Sequence, residues 1–392
     1  MSPFLQLALS LVVIIIAAKL GGYLSYRLGQ PSVLGELLVG LLLGPSLLDV
    51  LHLPFFTNAH LSETVRELAE FGVLLLMFIA GLELHLSDLA KSGKVSALAG
   101  MLGVVMPLLM GFGLARLFGV DSDGAIFIGL ILSATSVSIS AQTLIELHEL
   151  RSRVGVSLLG SAVFDDILVV LGLSVFVALV IGGTADLGGI AGIILQMAAF
   201  LVVASLVGFW LLPTRLSRWV DKLPISQGLI AFVFTMMLVY SWSAEVLGNM
   251  AAITGAFLAG LIFGRSPLKD RIEAGMSTLA YGLFVPVFFV NIGLSANVRD
   301  LGGESLLFML AMTGVAIVSK VVGAGLGGRL GGLTNREALQ LGVGMMSRGE
   351  VGLIVVTVGI DNGIIGSEIF AAIVGVVILT TFLTPPLLRS LF

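Results

Sequence analysis

The sequence predicts an all-α polytopic membrane protein with about thirteen transmembrane helices. Hydrophobic residues make up 57% of the chain and charged residues only 11%, whereas an ordinary soluble domain has about 25% charged residues. The mean hydropathy is +1.12. Apolar stretches of about 20 residues, the length of a helix that crosses a bilayer, recur from one end of the chain to the other. Together these features predict a fold made of membrane-spanning helices.

The predicted spans follow one another with short loops. They cover residues about 4–26, 32–50, 67–84, 95–118, 124–147, 153–182, 187–213, 226–247, 250–264, 278–297, 303–328, 337–360 and 366–388. Spans longer than about 25 residues have to tilt or kink in a bilayer. The first span has no basic segment before it and no cleavage site after it, which predicts a retained helix instead of a signal peptide.

Loop charges predict the orientation in the membrane. Basic residues such as Arg27, Arg151 and Arg265 concentrate in one set of alternate loops, and acidic residues such as Asp49 and Asp121 dominate the other set. Basic loops stay in the cytoplasm. We therefore expect a multi-pass protein of the cell (inner) membrane, with its N-terminus outside and its C-terminus in the cytoplasm.

Two predicted spans contain polar residues near their middles. Span five contains the segment 132–144, and span twelve contains the segment 342–353. The two spans are seven positions apart and hence antiparallel, an arrangement typical of transporters with two inverted repeats. We expect crossed broken helices, with spans two to six and nine to thirteen as the repeats. The alternative is that the Ser and Thr hydroxyls bond back to their own helices.

Two adjacent carboxylates, Asp165 and Asp166, lie in an apolar stretch with no other charge between Arg153 and Asp186. A charge at mid-membrane costs at least about 2.5–3.5 kcal/mol, so each carboxylate needs a partner or a polar cavity. Adjacent side chains on a helix point about 100° apart. One carboxylate can thus face a cavity while the other meets a neighbouring helix. Such a pair suits proton loading and cation binding; a purely structural ion pair is the alternative.

Other charges in the predicted spans also need roles. Lys320 has no acidic residue in its own turn, so we expect it to pair with Asp165, in a contact that cation binding would break. The alternative for Lys320 is an extended conformation that places its ammonium at the membrane surface. Arg348 and Glu350 flank Gly349 within the break of span twelve. We expect both to be architectural, pairing with each other, with Glu83 or with helix ends. Direct cation binding by Glu350 is the alternative.

Composition excludes several kinds of site. The chain has no cysteine, which excludes disulfides and thiolate metal sites. The four histidines lie at span ends or in loops, which argues against a histidine metal cluster. No basic patch for nucleic acid is present, and the net charge is only −4.

Seven stretches together resemble the monovalent cation:proton antiporter superfamily, in its NapA-type and Kef-type branch. They are residues 30–48, 71–84, 134–142, 160–169, 286–294, 319–322 and 347–354, spread through nearly the whole chain. The resemblance implies the NhaA/NapA-like fold and a homodimer. It also implies scaffold helices for dimerisation, about 4–50 and 187–264, and core helices, about 67–182 and 278–390, that move in an elevator-like step.

The resemblance implies roles for single residues as well. Asp166 corresponds to the family's essential ion-binding carboxylate, Asp165 to the second carboxylate, and Lys320 to the lysine that pairs with it. Thr135 and Ser136 fall in the first broken helix, beside the site. Kef-type members usually carry Gln-Asp where this chain has Asp-Asp. The combination of Asp-Asp with Lys320 resembles the electrogenic sodium/proton subtype. This resemblance implies that Na⁺ (or Li⁺) binds at Asp166 and Asp165 and that two protons move against one cation.

Other functions stay open as alternatives. A Kef-like potassium/proton antiporter is the first, because relatives with Asp-Asp also transport K⁺. A sodium-coupled solute symporter would share the broken-helix architecture, and a channel would need a continuous pore. An intramembrane aspartyl protease needs carboxylates on separate helices, which adjacent aspartates do not provide. We expect a transporter and not an enzyme, with no cofactor. The expected partners are a monovalent cation, protons, membrane lipid and a second copy of the chain, and no nucleic acid.

Overall fold

The computed structural model describes residues 1–54, 56–84, 91–176, 187–213, 225–294, 303–349, 352, 355–356, 359 and 363–392, and these residues contain no β-strand. The helices are α1 (Pro3–Arg27), α2 (Ser32–Leu43), α3 (Leu61–Glu83), α4 (Gly93–Leu117), α5 (Ser122–Ser133), α6 (Val137–Glu146), α7 (Arg153–Phe176), α8 (Leu187–Leu211), α9 (Gly228–Val246), α10 (Ala252–Phe263), α11 (Lys269–Leu279), α12 (Val285–Leu294), α13 (Gly303–Gly331), α14 (Asn335–Gly344) and α15 (Ser367–Leu391). A π-helical turn, Ala280–Phe284, joins α11 to α12.

Each predicted span overlaps at least one of these helices. Within the described residues, nine helical stretches are long and apolar enough to cross a membrane. The all-helical membrane fold predicted from the sequence is therefore confirmed. Helices α2 and α10 are shorter, with 12 residues each, and the exact number of crossings stays a prediction.

Span five is broken where the sequence predicts a break. Helix α5 ends at Ser133 and α6 begins at Val137. Between them, Ala134 has a ψ of 135° and Ser136 has a φ of −95° with a ψ of 111°, so the backbone is extended. Extended backbone leaves N–H and C=O groups unpaired within the segment. These groups become available to a second chain segment or to an ion.

Span twelve also leaves the helical conformation, because α14 ends at Gly344 and residues 346–349 are not helical. The two breaks bond to each other. The Ser136 N–H donates to the Ser347 carbonyl at 2.9 Å, and the Ser347 hydroxyl donates to the Ser136 carbonyl at 2.5 Å. A Cβ on Gly349 would lie 2.6 Å from Ser136 Cβ, so only glycine permits this approach. The continuation of span twelve lies largely outside the described residues.

The helices pack in two groups. The site group contains α4, α5, α6, α7, α13, α14 and α15, with α4 lying along α13, α5 and α7, and with α14 and α15 against α13. The flanking group contains α1, α2, α3, α9, α10, α11 and α12, with α3 against α10 and α12, and α2 against α1 and α12. Helix α8 contacts both α7 and α10. The groups meet where α6 contacts α2 and α3 and where α15 contacts α2.

Close packing of α4 and α13 fixes the position of the site lysine. A Cβ on Gly323 of α13 would lie 2.4 Å from the Leu102 carbonyl oxygen of α4. The missing side chain lets the two backbones approach, as small residues do between membrane helices. Lys320, one turn earlier in α13, consequently lies deep between the helices and is fully buried.

Candidate ion-binding site

Asp165 of α7 and Lys320 of α13 form a buried ion pair. The Lys320 Nζ donates to Asp165 Oδ1 at 2.7 Å, and both residues have 0% exposure. Taking a single charge out of water costs several kcal/mol, and removing one partner of a buried pair leaves that cost uncompensated. The two side chains therefore neutralise each other across neighbouring helices.

Asp166 faces a different environment from Asp165. It lines a small recess of about 10 Å³ whose walls include Met77 of α3, Val137 of α6, and Thr254 and Phe257 of α10. The recess thus lies where the site group meets the flanking group. Asp166 is 8% exposed and supplies the only carboxylate among the residues that line the recess. Its carboxylate therefore lies at the boundary between the site group and the flanking group.

Thr135 lies in the break of span five, beside the Asp165 carboxylate. It is 3% exposed. Its Oγ1 and the Asp165 Oδ2 are both buried, and neither closes a hydrogen bond within the part of the chain that the structure describes. Buried polar atoms normally have partners. A buried hydroxyl oxygen beside a buried carboxylate oxygen provides the hard oxygen ligands that cations bind in proteins.

Ser136 holds the break of span five against the break of span twelve. Its backbone N–H and C=O both bond to Ser347, and its hydroxyl shares a hydrogen bond of 3.0 Å with the Ser138 hydroxyl. Ser136 is completely buried. The residue therefore fixes the geometry next to the site, while Thr135 presents its hydroxyl to the carboxylate.

Arg348 lies at the break of span twelve and is 1% exposed. Its Nη1 donates to the Met346 carbonyl at 2.7 Å and to the Met345 carbonyl at 3.5 Å, and its Nη2 donates to the Ala316 carbonyl of α13 at 3.2 Å. A cation beyond the carbonyl end of α14 is favoured by the helix dipole. Two of the three acceptors of Arg348, the carbonyls of Met345 and Met346, thus follow the end of α14, and the third lies within α13.

The other two predicted core charges lie elsewhere. Glu350 is outside the described residues, so its pairing with Arg348 stays a prediction. Glu83 ends α3, where its Oε2 is 4.0 Å from Arg151 Nε. Its side chain is 20% exposed. In this structure the ionic partner of Glu83 is thus Arg151 and not Arg348.

Sequence reasoning missed two threonines near the site. Thr254 is the polar residue that α10 adds to the recess, and the Thr381 hydroxyl of α15 donates to the Arg348 carbonyl at 2.5 Å. A threonine in an apolar helix is one indication of a polar site. However, threonines often bond to their own helix, as Thr143 does to the Ile139 carbonyl. Their position relative to the site becomes clear only from helix packing.

A family described as "Sodium/hydrogen exchanger, transmembrane" matches residues 12–391. The chain is 39% identical over 389 residues to the Na⁺/H⁺-K⁺ antiporter GerN of Bacillus cereus, covering 99% of this chain and 96% of that protein. It is 34% identical over 379 residues to a Na⁺/H⁺ antiporter of Enterococcus hirae, covering 97% and 96%. It is 37% identical over 417 residues to the high-affinity Na⁺/H⁺ antiporter NhaS3 of Synechocystis, covering 98% and 89%.

A solved structure has a similar fold. The electron-microscopy structure of the sodium proton antiporter MjNhaP1 from Methanocaldococcus jannaschii superposes with a TM-score of 0.72, covering 100% of this chain and 96% of that one, at 16% identity. A second structure of MjNhaP1, at pH 8, gives a TM-score of 0.65 at 18% identity. At these identities the likeness bears on the fold alone.

Proposed function

The chain belongs to the sodium/hydrogen exchanger family, which confirms its resemblance to the monovalent cation:proton antiporters, and we propose how its buried charges carry out the exchange. The protein is a membrane antiporter of Na⁺ and protons, as its relatives of 34–40% identity are named to be. The observation that supports a site is the buried Asp165–Lys320 pair, next in the chain to a carboxylate that lines a recess.

Asp166 is the carboxylate that meets the cation first. It lines the small recess between the site group and the flanking group. Na⁺ is bound by Asp166 and Asp165, and the Thr135 hydroxyl lies close enough to the Asp165 carboxylate to add an oxygen. A proton and Na⁺ compete for the same carboxylate oxygens. Because the carrier cannot hold both at once, it exchanges them.

Lys320 couples the second proton to the cation. When Na⁺ takes the Asp165 carboxylate, the ammonium of Lys320 loses its 2.7 Å partner inside an apolar site. A buried, unpaired ammonium gives up its proton. The proton-loaded site, with neutral Asp166 and the Asp165–Lys320 pair, carries no net charge. The Na⁺-loaded site, with two carboxylates, one cation and a neutral lysine, carries one negative charge, so two protons exchange for one Na⁺ and the cycle is electrogenic.

The site group moves against the flanking group in an elevator-like step. The breaks at Ser136 and Ser347, which bond to each other, support two inverted repeats crossing at the site. We place α3 and α12 with the scaffold, although the family resemblance implied that they belong to the core. Helix α3 packs on α10 and α12, and α12 packs on α2 and α1. The proposed orientation keeps the basic loops in the cytoplasm, and the proposed assembly is a homodimer.

The test is a transport assay with purified protein in liposomes that contain a pH-sensitive dye. Addition of Na⁺ should dissipate a preformed proton gradient with the wild type, and Asp166→Asn should abolish that signal. Asp270→Asn, on the surface far along the chain from the site, is the matched control and should behave as the wild type does. Wild-type exchange by the Asp166 variant would overturn the assignment.

The second candidate is potassium/proton exchange. It is supported by the similarity to GerN, whose name includes K⁺. Cavity size and rigidity, and not ligand type, separate these cations. The same liposomes assayed with Na⁺, Li⁺ and K⁺ in turn decide between the two, because a K⁺ exchanger would respond to K⁺ at least as strongly as to Na⁺.

A further inference from the structure

Glu146, the last residue of α6, bonds to the first residue of α2. The Ser32 backbone N–H donates to Glu146 Oε2 at 2.6 Å, and the Ser32 hydroxyl donates to Glu146 Oε1 at 2.5 Å. The Gln142 Nε2, one turn earlier in α6, donates to the same Oε1 at 3.0 Å. Helix α6 belongs to the site group and α2 to the flanking group, so this carboxylate joins the two.

The contact completes the N-terminus of α2. Pro31 precedes the helix and provides no side-chain cap, so the first N–H groups of α2 need an acceptor from elsewhere. A carboxylate at a helix N-terminus satisfies an N–H group and is favoured by the helix dipole. Glu146 supplies this acceptor from a different helix, 114 residues along the chain.

Glu146 occupies an electrostatically unfavourable position in its own helix. A carboxylate at the C-terminus of a helix is disfavoured by the dipole of that helix, and α6 ends at Glu146. The residue therefore weakens α6 and stabilises the junction between α6 and α2. Glu146 thus lies at an unfavourable position in its own helix and contacts the other helix group. Positions where a local preference is broken in this way are typical of functional residues.

A second contact holds the same loop. Arg151, five residues after Glu146, has its Nε 4.0 Å from the Glu83 carboxylate at the end of α3. The Arg151 side chain is 56% exposed, and exposed ion pairs of this kind contribute little stability. The segment that joins α6 to α7 is thus held to the flanking group at two points, of which the Glu146 contact is the stronger.

We propose that Glu146 is a conformational latch, which fixes the site group to α2 in the state seen here and releases it when the site group moves. The proposal rests on the proposed function, since an exchanger must move one group against the other. On release, Ser32 loses its acceptor and the first turn of α2 loses its cap. The strength of the Glu146–Ser32 contact therefore determines how readily the transporter leaves this state.

The absence of cysteine from the chain makes a cross-linking test specific. The pair Ser32→Cys and Glu146→Cys is bridged in proteoliposomes with a short bis-methanethiosulfonate reagent, and dithiothreitol removes the bridge. We expect bridging to lower Na⁺/proton exchange at least about tenfold, with recovery on reduction. Each single-cysteine variant, treated in the same way, is the control and should keep its rate.

Exchange by the bridged protein at its unbridged rate, with bridging verified by intact mass, would overturn the latch. The unbridged double variant reports on the antiport activity itself. A failure of the latch therefore shows as active protein insensitive to the bridge. A failure of the proposed function would instead show as wild-type protein without exchange.

A second measurement does not depend on transport. Hydrogen–deuterium exchange of the amides in the first turn of α2 should be about tenfold faster in Glu146→Gln, which loses a charge-assisted acceptor. Glu149→Gln lies in the same loop and changes no contact to Ser32, so it should match the wild type. Unchanged exchange of the α2 amides in Glu146→Gln contradicts the proposal, even if the double-cysteine variant proves inactive before bridging.

Discussion

Asp165 and Asp166 are adjacent in α7 but face different partners: Asp165 accepts a hydrogen bond of 2.7 Å from Lys320, and Asp166 lines the recess beside α10. The difference follows from helix geometry, because adjacent side chains point about 100° apart. One carboxylate is therefore neutralised inside the site group, and the other is placed at the boundary with the flanking group.

The first prediction concerns the buried pair. Asp165→Asn should leave Lys320 without a counter-charge and lower the free energy of unfolding by about 3–5 kcal/mol. The double variant Asp165→Asn with Lys320→Gln should recover part of this loss, because neither member of the pair then carries a buried charge without its partner. Thermal unfolding in detergent, monitored for both variants and the wild type, measures the difference. A double variant less stable than the single Asp165 variant would argue against the pair.

The second prediction concerns proton competition. Lowering the pH should raise the apparent KM for Na⁺, by up to about tenfold per pH unit for each competing proton, because a protonated carboxylate cannot bind the cation. Initial exchange rates, measured over a range of Na⁺ concentrations at several pH values, test this. An apparent KM that is independent of pH would mean that Na⁺ and protons do not share Asp166.

The third prediction concerns charge movement. With two protons exchanged for one Na⁺, a membrane potential set by K⁺ and valinomycin should change the exchange rate, since moving one net charge through 100 mV corresponds to about 2.3 kcal/mol. The control is the same liposome preparation with equal K⁺ on both sides. Equal rates at all imposed potentials would instead indicate one-for-one exchange.

The fourth prediction concerns the crossing of the broken helices. Gly349→Ala places a methyl group 2.6 Å from Ser136 Cβ and should destabilise the protein by about 1–3 kcal/mol through overpacking. Gly113→Ala is the matched control, because a Cβ there meets no atom within 4 Å. Thermal unfolding should show a lower transition for the Gly349 variant only. A Gly349 variant as stable as the Gly113 variant would place the crossing elsewhere.

Much of the fold is predictable because a bilayer constrains a sequence in one dimension. Apolar length gives the spans, and the polar run around Ser136 gives the break between α5 and α6. Lys320 has few acidic residues at a similar depth, so its expected partner was Asp165. These predictions depend only on how deep each residue lies along the membrane normal. They do not require knowing which helices pack side by side.

Lateral packing is the part that the sequence does not reveal. Membrane helices are apolar on most faces, so hydropathy does not show which neighbour each helix contacts. For this reason the placement that we propose for α3 and α12 rests on their contacts and differs from the one that the resemblance implied. Thr254 in the recess and the contact between Ser32 and Glu146 likewise depend on helices distant in the chain.

The most direct test of the account counts protons released when Na⁺ binds. Purified protein in weakly buffered detergent solution, at a pH where the site is protonated, is titrated with Na⁺ while a pH dye reports released protons. Release should approach two protons per bound Na⁺ for the wild type, and Asp166→Asn should show neither binding nor release. Na⁺ binding without proton release, or unchanged release by the Asp166 variant, would contradict the account.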